Sequence, residues 1–384
     1  MRSTVILLLI TTVAVADPPP GAEGTPEHQK AAELVKQLGH PRFSVREAAA
    51  KELLEMGGPA IPALAAGTKA ADEEVRTRSA ALLPQVRAAE WKKRADAYRA
   101  DAEGKQKHDL PLLAEFEKAV GKPTPESRKL FAEMLRANGE LLYQAATDLN
   151  AASAAIRTRC RTLASPAGPG QKQVKAEVGD LAALLFVHAR IGKESAHWSS
   201  DEHPAHLLAN PGLVEGIESK DVGPALRRVL VHWADTRPRQ DLTAHQFFAL
   251  AVRNNPFPEA VPVLTRLAKD KMASGINVRA LAMEALGKVG DADAKAALEG
   301  LLTDSTSLFQ GFADRDFLVS DCAFAALLAA HKKKPTDYGM ASGLTVGFRF
   351  AGQGQIVRVT LHTFPSDEAR KTGLKKWKDE ANKN

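Results

Sequence analysis

Apolar residues recur along most of this chain at the three- and four-residue spacing that lines one face of a helix. The stretch SVREAAAKELLEMGGPAIPAL, residues 44–64, shows the unit: an amphipathic run, a double glycine, and a second apolar run opened by prolines. Echoes begin at Val75 (VRTRSAALLPQV), Val278 (VRALAMEALGKVG) and Val319 (VSDCAFAALLAAH). Four residues after each valine stands a small residue, Ala49, Ser79, Ala282 or Ala323, and eight after it a leucine, Leu53, Leu83, Leu286 or Leu327. These positions share one helical face, so each run predicts a helix that a neighbour approaches closely at the small residue. Ser44 with Glu47 reads as a capping box, and Asp72 as the cap ahead of Val75. Gly57-Gly58 followed by Pro59 reads as one helix end and the next beginning. The phrase PAIPAL at 59–64 returns as PEAVPVL at 258–264, so the repeating unit is an antiparallel helix pair.

Between the two clear blocks the pattern stays helical but loses its repeat. Leu112 to Val120, Glu126 to Leu163, Val174 to Ile191, Pro224 to Trp233 and Thr243 to Val252 carry helix-compatible spacing. Polar breaks fall at Ala100–His108, Ser165–Gln173, Ser199–Pro204 and Arg237–Asp241. The tail changes period. Leu344 to Phe350 and Gln355 to His362 alternate around Ala351-Gly-Gln-Gly354, which predicts a β-hairpin, and Ser366 to Lys383 reads as a basic helix holding Trp377. That tail either covers the end of the array, as a terminal unit must, or docks a partner.

Helix pairs whose second member opens with Val-Arg resemble the HEAT-repeat family. The likeness is strongest over residues 28–95 and 258–334, and Ser320 stands where the last copy would carry arginine. It implies an all-α fold, an α-solenoid of antiparallel helix pairs, here with a small C-terminal β-hairpin plus helix. In that family the arginine is an inter-repeat tie, a role that falls on Arg46, Arg76 and Arg279; an anion-binding ladder is the alternative. The whole sequence resembles exported bacterial HEAT-containing proteins of unassigned role. The expected divisions are a signal peptide 1–16, a linker 17–27, N-terminal repeats 28–95, a divergent helical region 96–240, C-terminal repeats 241–334 and the tail 335–384.

Composition narrows the partner. Arg2, the apolar run Val5 to Val15 and the small residues Ala14 and Ala16 predict a secretory signal cut after Ala16, so a periplasmic or secreted protein is expected, an uncleaved anchor being the alternative. No later segment offers the roughly 20 apolar residues of a membrane span. Aromatic residues are 5% of the sequence, which suits closely packed helices over a sandwich. The net charge of +6 is modest, and export makes nucleic acid an unexpected partner. The basic clusters, Trp91 to Arg94, Lys332 to Lys334 and Lys371 to Lys378, fall at helix ends or in the tail, where an anionic surface could be bound. Cys160 and Cys322 sit on apolar stripes and read as small buried hydrophobes.

Catalytic signatures are missing: there is no HExxH or GxSxG, and Gly192-Lys193 lacks the rest of a phosphate loop. HWSSDEHPAH, residues 197–206, places His197, His203 and His206 near Asp201 and Glu202 and could supply zinc ligands. The alternative is a helix start at Pro204 capped by Asp201 or Ser200. No catalytic, cofactor or metal residue is assigned, and no cofactor is expected. The reading that follows is a non-enzymatic scaffold that binds a protein or peptide on a solenoid surface. A lyase or glycosylase type of enzyme acting on an anionic substrate, or polyanion binding through the basic tail, are the alternatives.

Overall fold

A computed structural model of the protein describes residues 25–164, 176–192, 198–199, 202–270, 276–312, 315–349 and 356–381. The expected signal peptide 1–16, the expected break at 165–173, His197, Ser200, Asp201 and the expected turn at 351–354 lie outside the described residues. The chain divides into two compact units, Met1–Ala100 and Asp101–Asn384.

The first unit holds α1 (Pro26–Gln37), α2 (Phe43–Met56), α3 (Ile61–Gly67) and α4 (Glu73–Ala100). Its helices pair as the sequence stripe demands: α1 packs on α2 and α3, and α3 on α4. Ala49, Leu53, Val75 and Ser79 are buried. Ser79 shows what the small position is for. A Cβ added to Gly67 would stand 2.3 Å from Ser79 Oγ, so the two backbones meet there with almost nothing between them. Asp72 Oδ1 accepts the Val75 N–H at 2.9 Å, as a helix cap does. Gly57, at φ +68°, ends α2 in a conformation that favours glycine.

The predicted capping box does not form. Helix α2 begins at Phe43, with Arg42 in the N-cap position making no hydrogen bond from its side group, because Ser44 already lies inside the first turn. Glu47 reaches forward instead, to Arg78 Nη1 at 2.8 Å.

The second unit begins with α5 (Leu113–Val120), α6 (Pro125–Thr147), α7 (Leu149–Ala164) and α8 (Val178–Ile191). One continuous stretch from Glu126 to Leu163 is thus two helices. Asp148 breaks it, its Oδ1 accepting the N–H groups of Asn150 and Ala151 at 2.9 and 3.1 Å and so starting α7 afresh. Helix α8 is buried along almost its whole length and packs on α6, so Gly179 matters: an added Cβ would meet the Glu133 carbonyl at 2.3 Å. Asp180, on α8, accepts Asn138 Nδ2 from the kink in α6 at 2.8 Å and Arg159 Nη2 from α7 at 2.6 Å.

A 3-10 turn at Pro204–Ala209 leads into α9 (Pro211–Glu218), α10 (Gly223–Thr236), α11 (Leu242–Asn254), α12 (Val261–Lys269), α13 (Ile276–Val289) and α14 (Ala292–Glu299). The echoed proline phrases fold alike. Pro59-Ala60 and Pro258-Glu-Ala260 each close a 3-10 turn, and the next helix starts from Ala60 at φ −78°, ψ −18° and from Ala260 at φ −80°, ψ −16°. The valine stripe is fully buried in this block: Val278, Ala282, Leu286, Val319, Ala323 and Leu327 are each 0% exposed.

A hairpin that the pattern of apolar residues does not foretell, β1 (Ser307–Phe312) with β2 (Arg315–Leu318), precedes α15 (Val319–Ala330). The predicted one forms as β3 (Ala341–Arg349) with β4 (Ile356–Thr363), followed by α16 (Asp367–Ala381). Helix α16 lies on the last repeat helix. Trp377 meets His331 and Phe324 with ring centroids 4.8 and 6.2 Å apart, and Arg370 Nε and Nη2 grip the buried Asp321 carboxylate at 2.7 and 2.9 Å.

Both units are therefore built from antiparallel helix pairs. Arg46 and Arg76 use the same reach within their own pairs, to the carbonyls six and five residues back in the turn, Arg46 Nη1 to His40 and Pro41 and Arg76 Nη1 to Ala70 and Ala71, and of these two it is Arg46 that also meets the next pair, its Nε 3.2 Å from Glu74 Oε1. Arg279 donates to the Ala268 carbonyl and to Asp304 Oδ2, both at 2.8 Å, and is 4% exposed. Arg279→Ala leaves a carbonyl and a carboxylate without their donor and should cost about 2–4 kcal/mol, whereas exposed Arg76→Ala should cost about 1 kcal/mol or less. Urea unfolding of the two variants measures this, and equal losses contradict it.

Candidate functional site

Of the histidines singled out by their spacing, His203 and His206 are buried, and His197 lies outside the described residues. His203 is itself the cap of the 3-10 turn at 204–209, in place of the expected Asp201 or Ser200. Its Nδ1 accepts the Ala205 N–H at 3.1 Å, which leaves the proton on Nε2, facing Asp241 Oδ2 at 3.2 Å. Asp241 Oδ1 caps α11 by accepting the Ala244 N–H at 3.0 Å. His206 packs edge-on against Phe247, centroids 4.9 Å apart. Both ring nitrogens of His203 are thus committed to hydrogen bonds, and among the described residues no group of three His, Cys, Asp or Glu is placed to hold a metal.

Around His203 stands a buried polar cluster that the spacing did not reveal. Trp233 Nε1 donates to His188 Nδ1 at 2.8 Å. Arg237, 3% exposed, donates through Nη2 to the carbonyls of His188 and Ala189 at 2.7 and 3.2 Å, where α8 ends. Burial, helped by the Arg237 charge, drives His188 well below the usual histidine range, and burial lowers Arg237 to about 10. This cluster is closed to solvent and joins α8, α10, α11 and the 204–209 turn. It holds the fold.

Two buried histidines, His188 in the cluster and His245 on α11, give the protein a pH limit. Burial depresses His245 to about 4, the nearby Asp241 carboxylate only partly opposing it. A histidine kept neutral in the native state costs nothing above its unfolded value near 6.5; as pH falls from there toward 4, the unfolded protein takes up a proton that the folded form refuses, and stability drops. Urea midpoints at pH 7.5 and 5.0 should show the fall, and His245→Gln should reduce it. A variant with an unchanged pH slope removes His245 as the cause.

An open groove lies elsewhere in the second unit. Helices α11, α13 and α15 pack side by side, and small residues on their outer faces, Ala280 and Gly287 on α13 and Ala325, Ala326 and Ala329 on α15, leave a hollow of about 720 Å³. The helices approach closely beneath it: a Cβ on Gly287 would stand 2.8 Å from the Ala326 carbonyl. One wall is β4, from Arg358 to His362. Val359 and Leu361 point inward, each 1% exposed. Their neighbours are held by the groove. Arg253 Nη1 donates to Arg358 O at 2.8 Å and to Glu284 Oε2 at 2.9 Å, while Glu284 Oε1 accepts the Thr360 N–H at 3.0 Å. Cys322 Sγ faces His362 O at 3.7 Å, and burial pushes its thiol up to about 12, so it is no nucleophile.

The groove carries Arg253, Lys288 and Arg358 against Glu284, an excess of positive charge. Burial lowers His362 and keeps it neutral. A hollow of similar size in the first unit, about 700 Å³ beside Val35, Gly67 and Val75, has Lys36 opposed by Glu33 and Asp72 and so no such excess. The groove residues come from four distant segments, so no linear motif could assemble them. A signal was present, though: Cys322, Ala325, Ala326 and Ala329 form a second small-residue stripe on the helix whose first stripe is Val319, Ala323 and Leu327.

Residues 223–310 match the family model for HEAT repeats. No curated protein matches the sequence. Among solved structures the protein is similar to human deoxyhypusine hydroxylase in complex with glycerol, at 15% identity and a TM-score of 0.21, the match spanning 80% of this sequence and 98% of that one. That protein is an enzyme, and the expectation that this one is not is withdrawn, since a lack of linear catalytic motifs does not exclude catalysis. A likeness this slight assigns no activity either. No helix among the described residues is long and apolar enough to cross a membrane. Helix pairs with buried valine stripes, arginine bonds at their turns and a matched repeat segment lead to one conclusion: residues 223–310 of this protein are HEAT repeats.

Proposed function

We propose that this protein binds a partner protein, and that an extended segment of the partner lies in the groove of α11, α13, α15 and β4. The observation that carries this reading is a hollow floored by alanine and glycine and rimmed by Arg253, Lys288 and Arg358. Small floor residues admit a peptide backbone, and the charge excess selects segments rich in Asp and Glu. HEAT repeats commonly serve protein partners, and the groove is built on the matched repeats and the helix that follows them. In the same reading the leader ending at Ala16 takes the protein out of the cytoplasm, and the native form should begin at Asp17 by mass spectrometry.

A photo-crosslinking residue placed at Ala329, in the groove, should trap a defined protein in native extract, whereas the same residue at Lys371, on the exposed side of α16, should not. Trapping that is equal at both positions, or absent at both, overturns the proposal. Lys288→Glu should weaken capture about tenfold or more, because it reverses one of three rim cations.

A further inference from the structure

Among the described residues strand β4 has one partner strand. It pairs with β3 through Leu344↔Leu361, Thr345↔Thr360, Val346↔Val359 and Gly347↔Arg358, in a sheet of two strands. Backbone groups on an antiparallel strand face alternate edges in step with the residues, so the edge turned away from β3 belongs to Arg358, Thr360 and His362. That edge faces the groove. There, the Arg358 carbonyl takes a guanidinium N–H of Arg253, and the Thr360 N–H gives to a carboxylate oxygen of Glu284. A donor on one carbonyl and an acceptor on the amide two residues further are what a neighbouring strand would supply. Arg253 and Glu284, 2.9 Å from each other, stand in for it.

Edge strands are commonly masked by charged side groups because a bare edge recruits other proteins. Masking here differs in that an open hollow of about 720 Å³ lies beside the edge, floored by Ala280, Gly287 and Ala326. Where a covered edge needs no such space, an added strand does.

We propose that the partner segment binds as an added β-strand on the free edge of β4, its own backbone C=O and N–H taking over the Thr360 N–H and the Arg358 C=O from Glu284 and Arg253. The segment is extended and acidic, because Lys288 and Arg358 face it while Arg253 and Glu284 stay paired with each other. This rests on the reading of the groove as a partner site. It adds that affinity comes from the backbone and selection from alternate side groups.

The probe is a capped nine-residue peptide of alternating Glu and Val, tested on the full-length protein by calorimetry and amide exchange. Binding is expected, at least tenfold weaker when alternate residues of the peptide are N-methylated, weaker again for a Lys and Val peptide, and lost in Thr360→Pro, which removes the edge N–H at a position facing away from β3. Should that variant misfold by circular dichroism, the methylated peptide decides alone. Binding that ignores methylation overturns strand addition while leaving the groove as a partner site. Failure of every peptide at millimolar concentration, with crosslinking at Ala329 still specific, also overturns strand addition; failure of crosslinking as well overturns both proposals. A protein that dimerises in sedimentation without peptide, and loses this in Thr360→Pro, makes a second copy the occupant and overturns the acidic partner.

Discussion

Packing helices into pairs creates one demand over and over: the last carbonyls of each helix have no partner within it, and a neighbour often stands where water would be. In this protein arginine meets that demand. Arg237 reaches the end of α8, Arg228 the Val120 carbonyl that closes α5, Arg227 the Ile217 carbonyl near the end of α9, and Arg279 the Ala268 carbonyl in α12. A guanidinium suits this task because its planar fork can serve two carbonyls, or a carbonyl and a carboxylate, while its stem covers apolar surface. Leaving these oxygens buried and unbonded would cost about 1–3 kcal/mol each, comparable to a sizeable part of a domain's net stability.

The hydrophobic face was legible in the sequence because a helix writes it locally. Val278, Ala282 and Leu286 lie within nine residues, and their burial follows from spacing alone. Proline phrases were legible for the same reason, since each fixes its own turn. What failed were choices between competing local bonds. Ser44 could have capped α2, but the helix begins at Phe43 and Glu47 finds Arg78, 31 residues away. Asp148 could have continued a helix and restarts one instead. No linear spacing decides such contests, because the energies differ by about 1 kcal/mol and the winning partner is distant.

The histidine cluster teaches the same lesson for chemistry. Three imidazoles within ten residues suggested a metal, yet ligation needs a free lone pair, and His203 spends one ring nitrogen on its own turn and the other on Asp241. Burial then settles the charge state. His188 sits beside a guanidinium with no room for a second positive charge, so the ring stays neutral and accepts the indole N–H of Trp233. A titratable cluster in a repeat protein can thus be a packing device whose pH response is a property of stability.

Arg253 applies the arginine rule to a strand. It donates to the Arg358 carbonyl as Arg279 donates to that of Ala268, but the acceptor belongs to a β-edge, and the neighbouring Glu284 takes the matching N–H. Helix carbonyls end a hydrogen-bond series, so covering them completes it. A strand edge continues one, and any segment with the same alternation of donor and acceptor competes for it on equal terms. Exchange of two charged hydrogen bonds for two neutral ones favours the arriving strand only if Arg253 and Glu284 remain satisfied afterward, which their own ion pair at 2.9 Å provides. The groove is therefore placed where the rule that builds the array stops being final.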